Sequence, residues 1–308
     1  MEASVKTALV CGAGGFIGHN LVKRLKKEGW YVVGLDLKLP AYEESPANVF
    51  IQEDARTHVL GMKYDRIYQL AAEMGGAGYI FSGEHDADVL ANSLAINLNI
   101  AKQATGSLVF FSSSACAYPD GVEGKEEDAY PANPPFDYGW EKLISERIYQ
   151  AYARNYGLNI RIARFQNCFG PYGTFKGGRE KAPAAISRKI IESTGEIEIW
   201  GNGEQIRPFV YIEDLLDGIE VLMQSDYNRP VNLGPSEGIT INHLIAQLIG
   251  ISGKQVKVKY IDGPTGELHR RCNNDLAKAL GWEPKWPLGK ALNETYQWIK
   301  KTHERETL

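Results

Sequence analysis

A glycine-rich turn between a predicted strand and a predicted helix is the feature that most constrains the fold. Gly12, Gly15 and Gly18 stand in "GAGGFIG", after the apolar run "TALVC" and before the amphipathic stretch "GHNLVKRLKKEG". Glycine permits a tight turn and lets a helix pack closely on a strand. A helix that begins at such a turn also presents backbone N–H groups to an anion. An ordinary tight turn can have the same glycines, so the residues that follow must show whether this turn binds a ligand.

The next predicted strand supplies that context. The run "YVVGLDL" ends near Asp36, roughly 20 residues after the glycines, where a carboxylate can bond the ribose hydroxyls of a dinucleotide. A carboxylate there repels a 2′-phosphate, so Asp36 favours NAD over NADP, although the neighbouring Lys38 leaves NADP open. Asp54, in "QEDAR" after the third predicted strand, could bond the adenine amino group or simply cap a turn.

Short β-rich runs alternate with helical patterns along the first half of the chain. Further strands are predicted at "NVFIQED", "RIYQLAA", "SLVFFSS" and "NIRIARF", with helices near 88–104 and 138–156. This order predicts an α/β fold: a Rossmann-type doubly wound parallel sheet with a smaller, mixed α/β C-terminal substrate lobe. We expect a nucleotide-binding domain at 1–170, with a return segment near 207–234, and a substrate domain at 171–308.

Composition excludes several classes of protein. A net charge of −4 and a pI near 5.9 argue against nucleic-acid binding, and no apolar run is long enough to span a membrane. The N-terminal sequence enters a strand without room for a signal peptide, so we expect a cytoplasmic protein. Four cysteines at irregular spacing predict neither a metal site nor a disulfide framework. Cys11 and Cys168 are interpreted as packing residues, and the role of Cys272 is left open.

A hydroxyl, a phenol and an amine form a candidate catalytic set. "YGWEK" places Tyr138 and Lys142 four residues apart, and therefore on one face of a predicted helix. An ammonium beside a phenol lowers the phenol pKa towards the range of a general base. With Ser114 at the end of a predicted sheet strand, the three residues suit hydride transfer: Tyr138 removes a hydroxyl proton, and Ser114 holds the oxygen.

This constellation resembles the extended short-chain dehydrogenase/reductase family, which acts on nucleotide sugars, over nearly the whole chain. The resemblance implies NAD in the N-terminal lobe, a nucleotide sugar in the C-terminal lobe, and a homodimer formed by the helices near 88–104 and 138–156. It also implies that Lys142 binds the nicotinamide ribose. The implied cofactor contacts are Gly12, Gly15, Phe16, Ile17, Gly18, Asp36, Asp54, Ala71, Tyr138 and Lys142.

Within this family, "AAEMGGAGYI", "SSACAYP", "YGWEKL" and "GPYGTFKGGREKAPAA" are similar to epimerases that invert carbons 3 and 5 of a GDP-hexose. The similarity implies that Cys116 and Lys181 form the acid/base pair, since a thiol and an amine can both exchange protons near neutral pH when their pKa values are tuned. Along an extended backbone Cys116 would point to the same side as Ser114. The alternatives are a buried packing cysteine and a solvated loop lysine.

The resemblance also implies residues that hold the substrate. They are Gly75, Gly76, Gly78, Asn167, Glu180, Lys181, Arg207 and Arg270. Arginine suits a diphosphate because its planar fork can bond two oxygens together, whereas the glycines could equally form a flexible turn. In "GELHRRCNND", Leu268 stands where the resemblance expects an arginine, and this departure leaves the exact nucleotide and sugar open.

The sequence therefore predicts an NAD-dependent nucleotide-sugar epimerase, an isomerase whose expected substrate is a GDP-hexose. It would oxidise C4, invert C5 and C3, and reduce C4 again. Two other functions stay open. One is an epimerase-reductase on a 4-keto sugar, similar to GDP-fucose synthases. The other is a nucleotide-binding family member that has lost turnover.

Overall fold

The computed structural model describes residues 5–80, 82–263 and 268–307. Its strands are β1 (Thr7–Cys11), β2 (Tyr31–Asp36), β3 (Val49–Gln52), β4 (Arg66–Gln69), β5 (Leu108–Ser114), β6 (Asn159–Phe165), β7 (Asn167–Phe169), β8 (Glu196–Trp200), β9 (Ile206–Arg207), β10 (Phe209–Tyr211), β11 (Pro230–Leu233), β12 (Ile239–Thr240) and β13 (Lys257–Ile261). Its α-helices are α1 (Phe16–Lys27), α2 (Ala77–Ile80), α3 (Asp86–Gln103), α4 (Asp137–Tyr156), α5 (Ala182–Glu192), α6 (Ile212–Gln224), α7 (Ile241–Ser252), α8 (Asp275–Ala279) and α9 (Leu288–Glu306). Short 3-10 helices follow β5 at Ala115–Ala117 and precede α4 at Glu126–Ala129.

A seven-stranded sheet forms the centre of the molecule. Its strands lie in the order β11-β6-β5-β4-β1-β2-β3, and every neighbouring pair is parallel. Strand order therefore reverses beside β1, as a doubly wound sheet requires, and the predicted fold class is confirmed.

Both faces of this sheet are buried, which explains its continuous apolar strands. Successive residues of β5 point to opposite faces, so Phe110 packs in one apolar cluster and Phe111 in the other. Helices α3 and α4 cover one face, where α3 and α4 also pack extensively on each other.

The glycine turn connects β1 to α1 in the predicted way. Gly12 has a φ of +84°, which favours glycine, and its N–H donates to the Leu35 carbonyl at 2.8 Å. A Cβ on Gly18 would lie 2.0 Å from the Gly12 carbonyl oxygen. Any other residue there would push α1 away from the turn, so these glycines bring the helix N-terminus to the sheet edge.

The second half of the chain forms smaller sheets. Strands β7 and β10 pair in parallel, as do β8 and β13, whereas β9 and β12 are antiparallel. Helices α5, α7 and α9 pack on one another beside them. The segment 207–234 contributes β11 to the edge of the central sheet, beside β6. The division of the chain near residue 170 stays a prediction.

No helix in residues 5–80, 82–263 or 268–307 is long and apolar enough to cross a membrane. Over the same ranges, no three His, Cys, Asp or Glu side chains lie together as a metal site would need. Gly266 and Glu267, which belong to the departing stretch "GELHRRCNND", lie outside the described residues.

Candidate active site

A cavity of about 490 Å³ lies over the carboxyl ends of the central strands, the position where doubly wound sheets bind ligands. Most of the predicted cofactor and catalytic residues line it: Gly12, Gly15, Phe16, Ile17, Gly18, Asp36, Asp54, Ala71, Gly75, Ser114, Tyr138, Lys142 and Lys181. Positions scattered from the first strand to the loop before α5 thus share one cavity. Other predicted site residues lie outside its lining: Gly76, Gly78, Cys116, Asn167, Glu180, Arg207 and Arg270.

The glycine end of this cavity fits the ribose and pyrophosphate of NAD. Asp36 accepts a hydrogen bond from the Gly14 N–H at 2.9 Å and another from the Lys38 N–H at 3.1 Å. A Cβ on Gly14 would lie 2.0 Å from the Lys38 carbonyl oxygen, so only glycine allows these loops to meet. The contacts fix the Asp36 carboxylate at the cavity wall, where its charge disfavours a 2′-phosphate.

Asp54 lies at the same end but is already bonded within the protein. The Arg56 backbone N–H and Nε donate to its Oδ1, at 2.9 and 3.0 Å, and Nε and Nη2 of Arg56 donate to its Oδ2, at 2.8 and 2.5 Å. These bonds lower the pKa of Asp54, with the Arg56 side chain as the largest cause. Sequence reasoning singled out Asp54 and missed Arg56, although only Ala55 separates the two in "EDAR".

Tyr138 and Lys142 lie on the first turns of α4, as predicted, but their electrostatics differ from the prediction. Burial raises the pKa of Tyr138 above its usual value, the negative charges of Cys116 and Glu141 raise it further, and a hydrogen bond with Ser114 lowers it. Lys142 Nζ is 5.4 Å from the Tyr138 ring centroid and 3.2 Å from the Glu141 carboxylate. The expected lowering by Lys142 was therefore wrong, because Glu141 pairs with that ammonium and burial has the larger effect.

A buried polar network fixes Glu141 and Lys142. Asn97 on α3 donates to Glu141 Oε1 at 3.1 Å, and Ser145 donates to the same oxygen at 2.8 Å. Asn97 in turn accepts a hydrogen bond from Gln69 at the end of β4, at 2.8 Å. Two helices and a strand thereby hold the face of α4 that carries Glu141 and Ser145 in one orientation.

Cys116 lies in the 3-10 turn directly after β5, not on the extended backbone that the sequence predicted. The Ser114 side chain caps this turn by accepting a hydrogen bond from the Cys116 N–H at 3.1 Å. The cap gives that N–H a partner at the point where β5 and its strand pairing end. A Cβ on Gly139 would lie 2.1 Å from the Cys116 carbonyl oxygen. Glycine at position 139 thus lets α4 lie directly against the cysteine turn.

Three cationic or nucleophilic groups from distant segments meet at this turn. Arg270 Nη1 lies 3.3 Å from Cys116 Sγ. Burial opposes ionisation of the Cys116 thiol, but the charges of Arg270 and Lys181, with hydrogen bonds from Ser114 and Arg270, bring its pKa below the usual value. Burial lowers the pKa of Lys181, the charge of Cys116 opposes this shift, and the charge of Arg270 adds to it, so the pKa stays below its usual value. The environment therefore tunes both groups towards proton exchange near neutral pH.

The loop that carries Lys181 closes on the loop that follows β4. A Cβ on Gly76 would lie 3.0 Å from the Arg179 carbonyl carbon and 3.1 Å from the Glu180 carbonyl oxygen, so the two backbones are in contact. The Arg179 guanidinium lies 4.1 Å from the Tyr79 ring centroid. The Tyr79 hydroxyl donates to Glu73 at 2.9 Å. Arg179 and Glu73 both line the cavity, and sequence reasoning identified neither of them.

Several predicted substrate residues lie towards the second half of the chain. Asn167 donates to the Pro208 carbonyl at 3.4 Å, and Arg207 donates to the Ile206 carbonyl at 2.8 Å. Glu180 pairs with Arg188 at 3.2 Å, and Leu268 is exposed. The Arg270 side chain reaches the Cys116 thiol, while its backbone N–H donates to the carbonyl of Ile206, the residue before Arg207, at 3.3 Å.

The remaining cysteines are buried, and burial disfavours their thiolate forms. Burial raises the pKa of Cys11 and of Cys272 to about 12, and raises that of Cys168 as well. Cys272, left open by the sequence, lies 3.9 Å from the Gly234 carbonyl oxygen. Cys116 differs from all three because its pKa is lowered.

Sequence comparisons identify the family and several relatives of this chain. The NAD dependent epimerase/dehydratase family matches residues 8–234. GDP-mannose 3,5-epimerase 1 from Oryza sativa subsp. indica is 38% identical over 313 aligned residues, covering 96% of this chain and 82% of that protein. UDP-glucuronic acid decarboxylase 1 from Xenopus tropicalis is 28% identical, covering 99% of this chain and 75% of that protein.

Solved structures show the same architecture. UDP-glucose 4-epimerase from Thermotoga maritima, solved with UDP-glucose, superposes with a TM-score of 0.85 at 26% identity, covering 96% of this chain and 99% of that chain. UDP-glucuronic acid 4-epimerase from Bacillus cereus, solved with UDP-glucuronic acid and NAD, superposes with a TM-score of 0.81 at 24% identity, covering 96% and 99%. At that identity the second comparison supports the fold alone.

Proposed function

This chain belongs to the NAD dependent epimerase/dehydratase family, and on that premise we propose that it epimerises a GDP-hexose at carbons 5 and 3. It is an NAD-dependent nucleotide-sugar epimerase; the sugar, the nucleotide and the inverted carbons are the proposal. GDP-mannose is the substrate we would test first, because GDP-mannose 3,5-epimerases are the 38% identical relatives.

The first half of the proposed reaction oxidises C4 of the sugar, which prepares C3 and C5 for inversion. Bound NAD supplies an acceptor for the C4 hydride and later returns it. Tyr138 takes the C4 hydroxyl proton, and the Ser114 hydroxyl, which bonds with Tyr138, holds the same oxygen. Lys142 binds the nicotinamide ribose from its buried position between the Phe111 and Tyr138 rings. A ketone at C4 then acidifies the hydrogens on C3 and C5.

The second half inverts those carbons by proton exchange. One group must remove a proton from one face of the ring, and another must return a proton to the opposite face. The observation that carries the proposal is that Cys116 packs against Tyr138, while Lys181, which is far away in sequence, lines the same cavity as Tyr138 and Ser114. A simple C4 epimerase needs no such pair. We assign Cys116 and Lys181 as the acid/base pair without fixing which one acts as the base.

Solvent exchange tests this proposal directly. Incubation with GDP-mannose in deuterated water should place deuterium at C3 or C5, with NMR identifying the epimerised products. The Tyr138→Phe variant should show no exchange, because the C4 ketone does not form. If no GDP-hexose tested acquires deuterium at either carbon while the wild-type protein binds NAD, the proposed chemistry is wrong.

The nucleotide is a separate part of the proposal. Arg207 and Arg270 supply positive charge in the second half of the chain, which suits a diphosphate. UDP sugars form the comparison panel, since the 28% identical relative is named for UDP-glucuronic acid. Deuterium exchange with a UDP sugar and with no GDP-hexose would overturn the GDP assignment while leaving the C4 chemistry intact.

The two alternative functions make different predictions. An epimerase-reductase similar to GDP-fucose synthases would consume NADPH with a 4-keto sugar, but the Asp36 carboxylate at the cavity wall disfavours a 2′-phosphate. A binding protein without turnover would hold ligand unchanged after Tyr138→Phe. NADPH oxidation with a 4-keto sugar would establish the first alternative, and ligand binding without turnover would establish the second.

We also propose a homodimer and a cytoplasmic location. Large apolar side chains are more than a third exposed on both helices: Leu98 on α3, and Trp140 and Ile144 on α4. Packing of these helices against the same pair in a second protomer would bury them. All four cysteines are free, which suits a reducing compartment. Sedimentation should show a dimer, and Ile144→Glu should shift it towards monomer. A wild-type protein that sediments as a monomer contradicts the homodimer, and cell fractionation tests the location.

A further inference from the structure

Asn232, the third residue of β11, is fully buried, and its side chain lies between two segments that are far apart in sequence. One is the loop 118–125, which follows the 3-10 turn after β5, and the other is the segment 268–274, which precedes α8. A buried amide needs a partner for each polar atom, because an unpaired one is costly. The partners of Asn232 therefore show what it holds together.

The Asn232 side chain bonds to both segments. Its Oδ1 accepts a hydrogen bond from the Tyr118 hydroxyl at 2.7 Å. Its Nδ2 donates to the carbonyl of Gly124, in the loop 118–125, and to the carbonyl of Asn273, each at 2.9 Å. One amide thus crosslinks the loop 118–125 to the segment 268–274.

These segments carry the two partners of the thiol contact. Tyr118 is two residues after Cys116, and Asn273 is three residues after Arg270. Arg270 Nη1 meets Cys116 Sγ at 3.3 Å, so the crosslink lies only a few residues from that contact on each side. The separation of the two segments at Asn232 therefore limits how closely the guanidinium approaches the thiol.

Backbone contacts fit the same two segments to each other. The Asn273 N–H donates to the Gly124 carbonyl at 3.0 Å. Gly124 has a φ of +78°, which favours glycine, and a Cβ there would lie 2.6 Å from the Arg271 carbonyl oxygen. The backbones are therefore in direct contact where the Asn232 amide joins them.

Charged groups fix the position of this crosslink. The Asn232 backbone N–H donates to Glu126 at 2.9 Å, and Arg164 Nη1 donates to the Tyr118 hydroxyl at 3.1 Å. Arg164 pairs in turn with Glu146 at 2.7 Å. Because every member of such a buried network has a partner, the network holds the amide in one orientation.

We infer that Asn232 is a positioning residue that holds Arg270 against the Cys116 thiol. Tyr138 and Lys181 also act on the thiol, but they approach it from α4 and from the residue before α5. Loss of Asn232 should therefore change mainly the approach of Arg270. The value of this contact for catalysis rests on the proton-exchange role proposed above, whereas the contact itself needs no substrate.

Alkylation of Cys116 by iodoacetamide, followed by mass spectrometry over a range of pH, tests this inference without turnover. Asn232→Ala should slow alkylation below the midpoint about three- to fivefold, because Arg270 moves away and the thiolate forms at higher pH. The loss should be smaller than that from Arg270→Leu, since the arginine is still present. An unchanged rate in folded Asn232→Ala protein would overturn the inference.

A double-mutant cycle separates an effect through Arg270 from an independent one. In the Arg270→Leu background, Asn232→Ala should change the alkylation rate by less than about 1.5-fold, because the group that it positions is already gone. If Asn232→Ala has the same effect in both backgrounds, the residue acts independently of Arg270 and the inference is wrong.

Tyr118→Phe decides the question if Asn232→Ala does not fold. This variant keeps the ring but removes the hydroxyl that bonds to Asn232, so alkylation should become about twofold slower, and only while Arg270 is present. No change in Tyr118→Phe, or an equal change in the Arg270→Leu background, would overturn the inference.

Asn99→Ala is the matched control. Asn99 Nδ2 also donates to two carbonyls, those of Ala55 and His58, at 2.9 and 2.8 Å, but it lies on α3. Its alkylation rate should stay within about 1.5-fold of wild type. Equal losses from Asn99→Ala and Asn232→Ala would show a general loosening of the fold and would count against the inference. Circular dichroism checks that each variant is folded.

The alkylation result and the proposed function can fail separately. Alkylation uses no sugar, so a wild-type protein that exchanges no deuterium with any GDP-hexose would leave the role of Asn232 in holding Arg270 standing. Additive effects in the double-mutant cycle would remove that role while leaving the proposed reaction standing.

Discussion

The two groups of residues that we propose to carry the chemistry, one for hydride transfer and one for proton exchange, are built in contrasting ways. The hydride-transfer group, Ser114, Tyr138 and Lys142, lies at the end of β5 and on α4, and a buried network through Asn97 and Glu141 braces it. The proton-exchange group, Cys116, Lys181 and Arg270, is collected from a 3-10 turn and two loops. The first group is held by regular structure, whereas the second depends on contacts between distant segments.

This difference matches the two parts of the proposed reaction. Hydride transfer is assigned to residues on regular elements, and proton exchange is assigned to residues gathered from loops. Regular elements hold a few atoms precisely, which hydride transfer demands. Loops can gather different reactive groups around the same ring without altering the sheet. Ser114 joins the two groups, because its hydrogen bonds favour the ionised forms of both Tyr138, whose pKa burial nevertheless raises, and Cys116, whose pKa is lowered.

The largest expected effect comes from breaking the hydride-transfer group. Tyr138→Phe removes the acid/base phenol, so epimerisation should fall about 10⁴-fold, and deuterium exchange should fall with it. NMR of the sugar measures both. Tyr156→Phe, on the same helix but exposed, is the control and should keep full activity. Exchange that survives Tyr138→Phe would show that the two groups work independently.

Breaking the proton-exchange group should lower deuterium exchange by a smaller factor and should leave C4 oxidation intact. Cys116→Ser and Lys181→Met should each lower deuterium exchange about 10²- to 10³-fold, because each removes one proton carrier. A single-turnover experiment should still show NADH absorbance, since C4 oxidation does not need these residues.

Lys176→Met is the matched control for Lys181→Met, since Lys176 is exposed in the same loop and pairs with Glu306 at 2.6 Å. It should leave exchange unchanged. If Cys116→Ser exchanges at the wild-type rate, the cysteine is a packing residue and the contrast between the two groups is lost.

Arg270 should affect the pH dependence of the thiol. Burial raises the pKa of the Cys116 thiol, but the charge of Arg270 lowers it, so Arg270→Leu should raise that pKa. The thiolate then forms only at higher pH, and alkylation of Cys116 by iodoacetamide should become roughly tenfold slower below the midpoint. Mass spectrometry of the Cys116 peptide measures the rate against pH.

Two variants sharpen this test. Arg270→Lys keeps a positive charge and should move the alkylation midpoint less than Arg270→Leu. Arg271→Leu removes the exposed neighbouring charge and should leave the midpoint almost unchanged. A shift from Arg271→Leu as large as that from Arg270→Leu would mean that general surface charge, not the contact at 3.3 Å, sets the pKa.

The smallest expected effect concerns closure of the loop that carries Lys181. Arg179→Gln removes the cation from the Tyr79 ring, and we expect the KM for the sugar to rise about two- to fivefold with kcat nearly unchanged. Steady-state kinetics measure both constants. Lys176→Gln, in the same loop, is the control. A fall in kcat with KM unchanged would indicate that Arg179 positions Lys181 for chemistry instead.

Local sequence determined much of the fold and half of the site. The alternation of apolar runs and helical patterns predicted the parallel sheet, because residues buried on both faces read as continuous apolar strands. The glycine spacing predicted the turn before α1, and the four-residue spacing predicted that Tyr138 and Lys142 share a helix face. Each of these features follows from the geometry of one element, or of two in sequence.

Only the tertiary structure decided the rest. Burial and the pairing of Lys142 with Glu141 reversed the expected pKa direction of Tyr138, and the cap by Ser114 placed Cys116 in a 3-10 turn. The position of Arg270 beside the thiol depends on a segment far along the chain. Desolvation and Coulomb interactions depend on distance in space, which separation in sequence does not give.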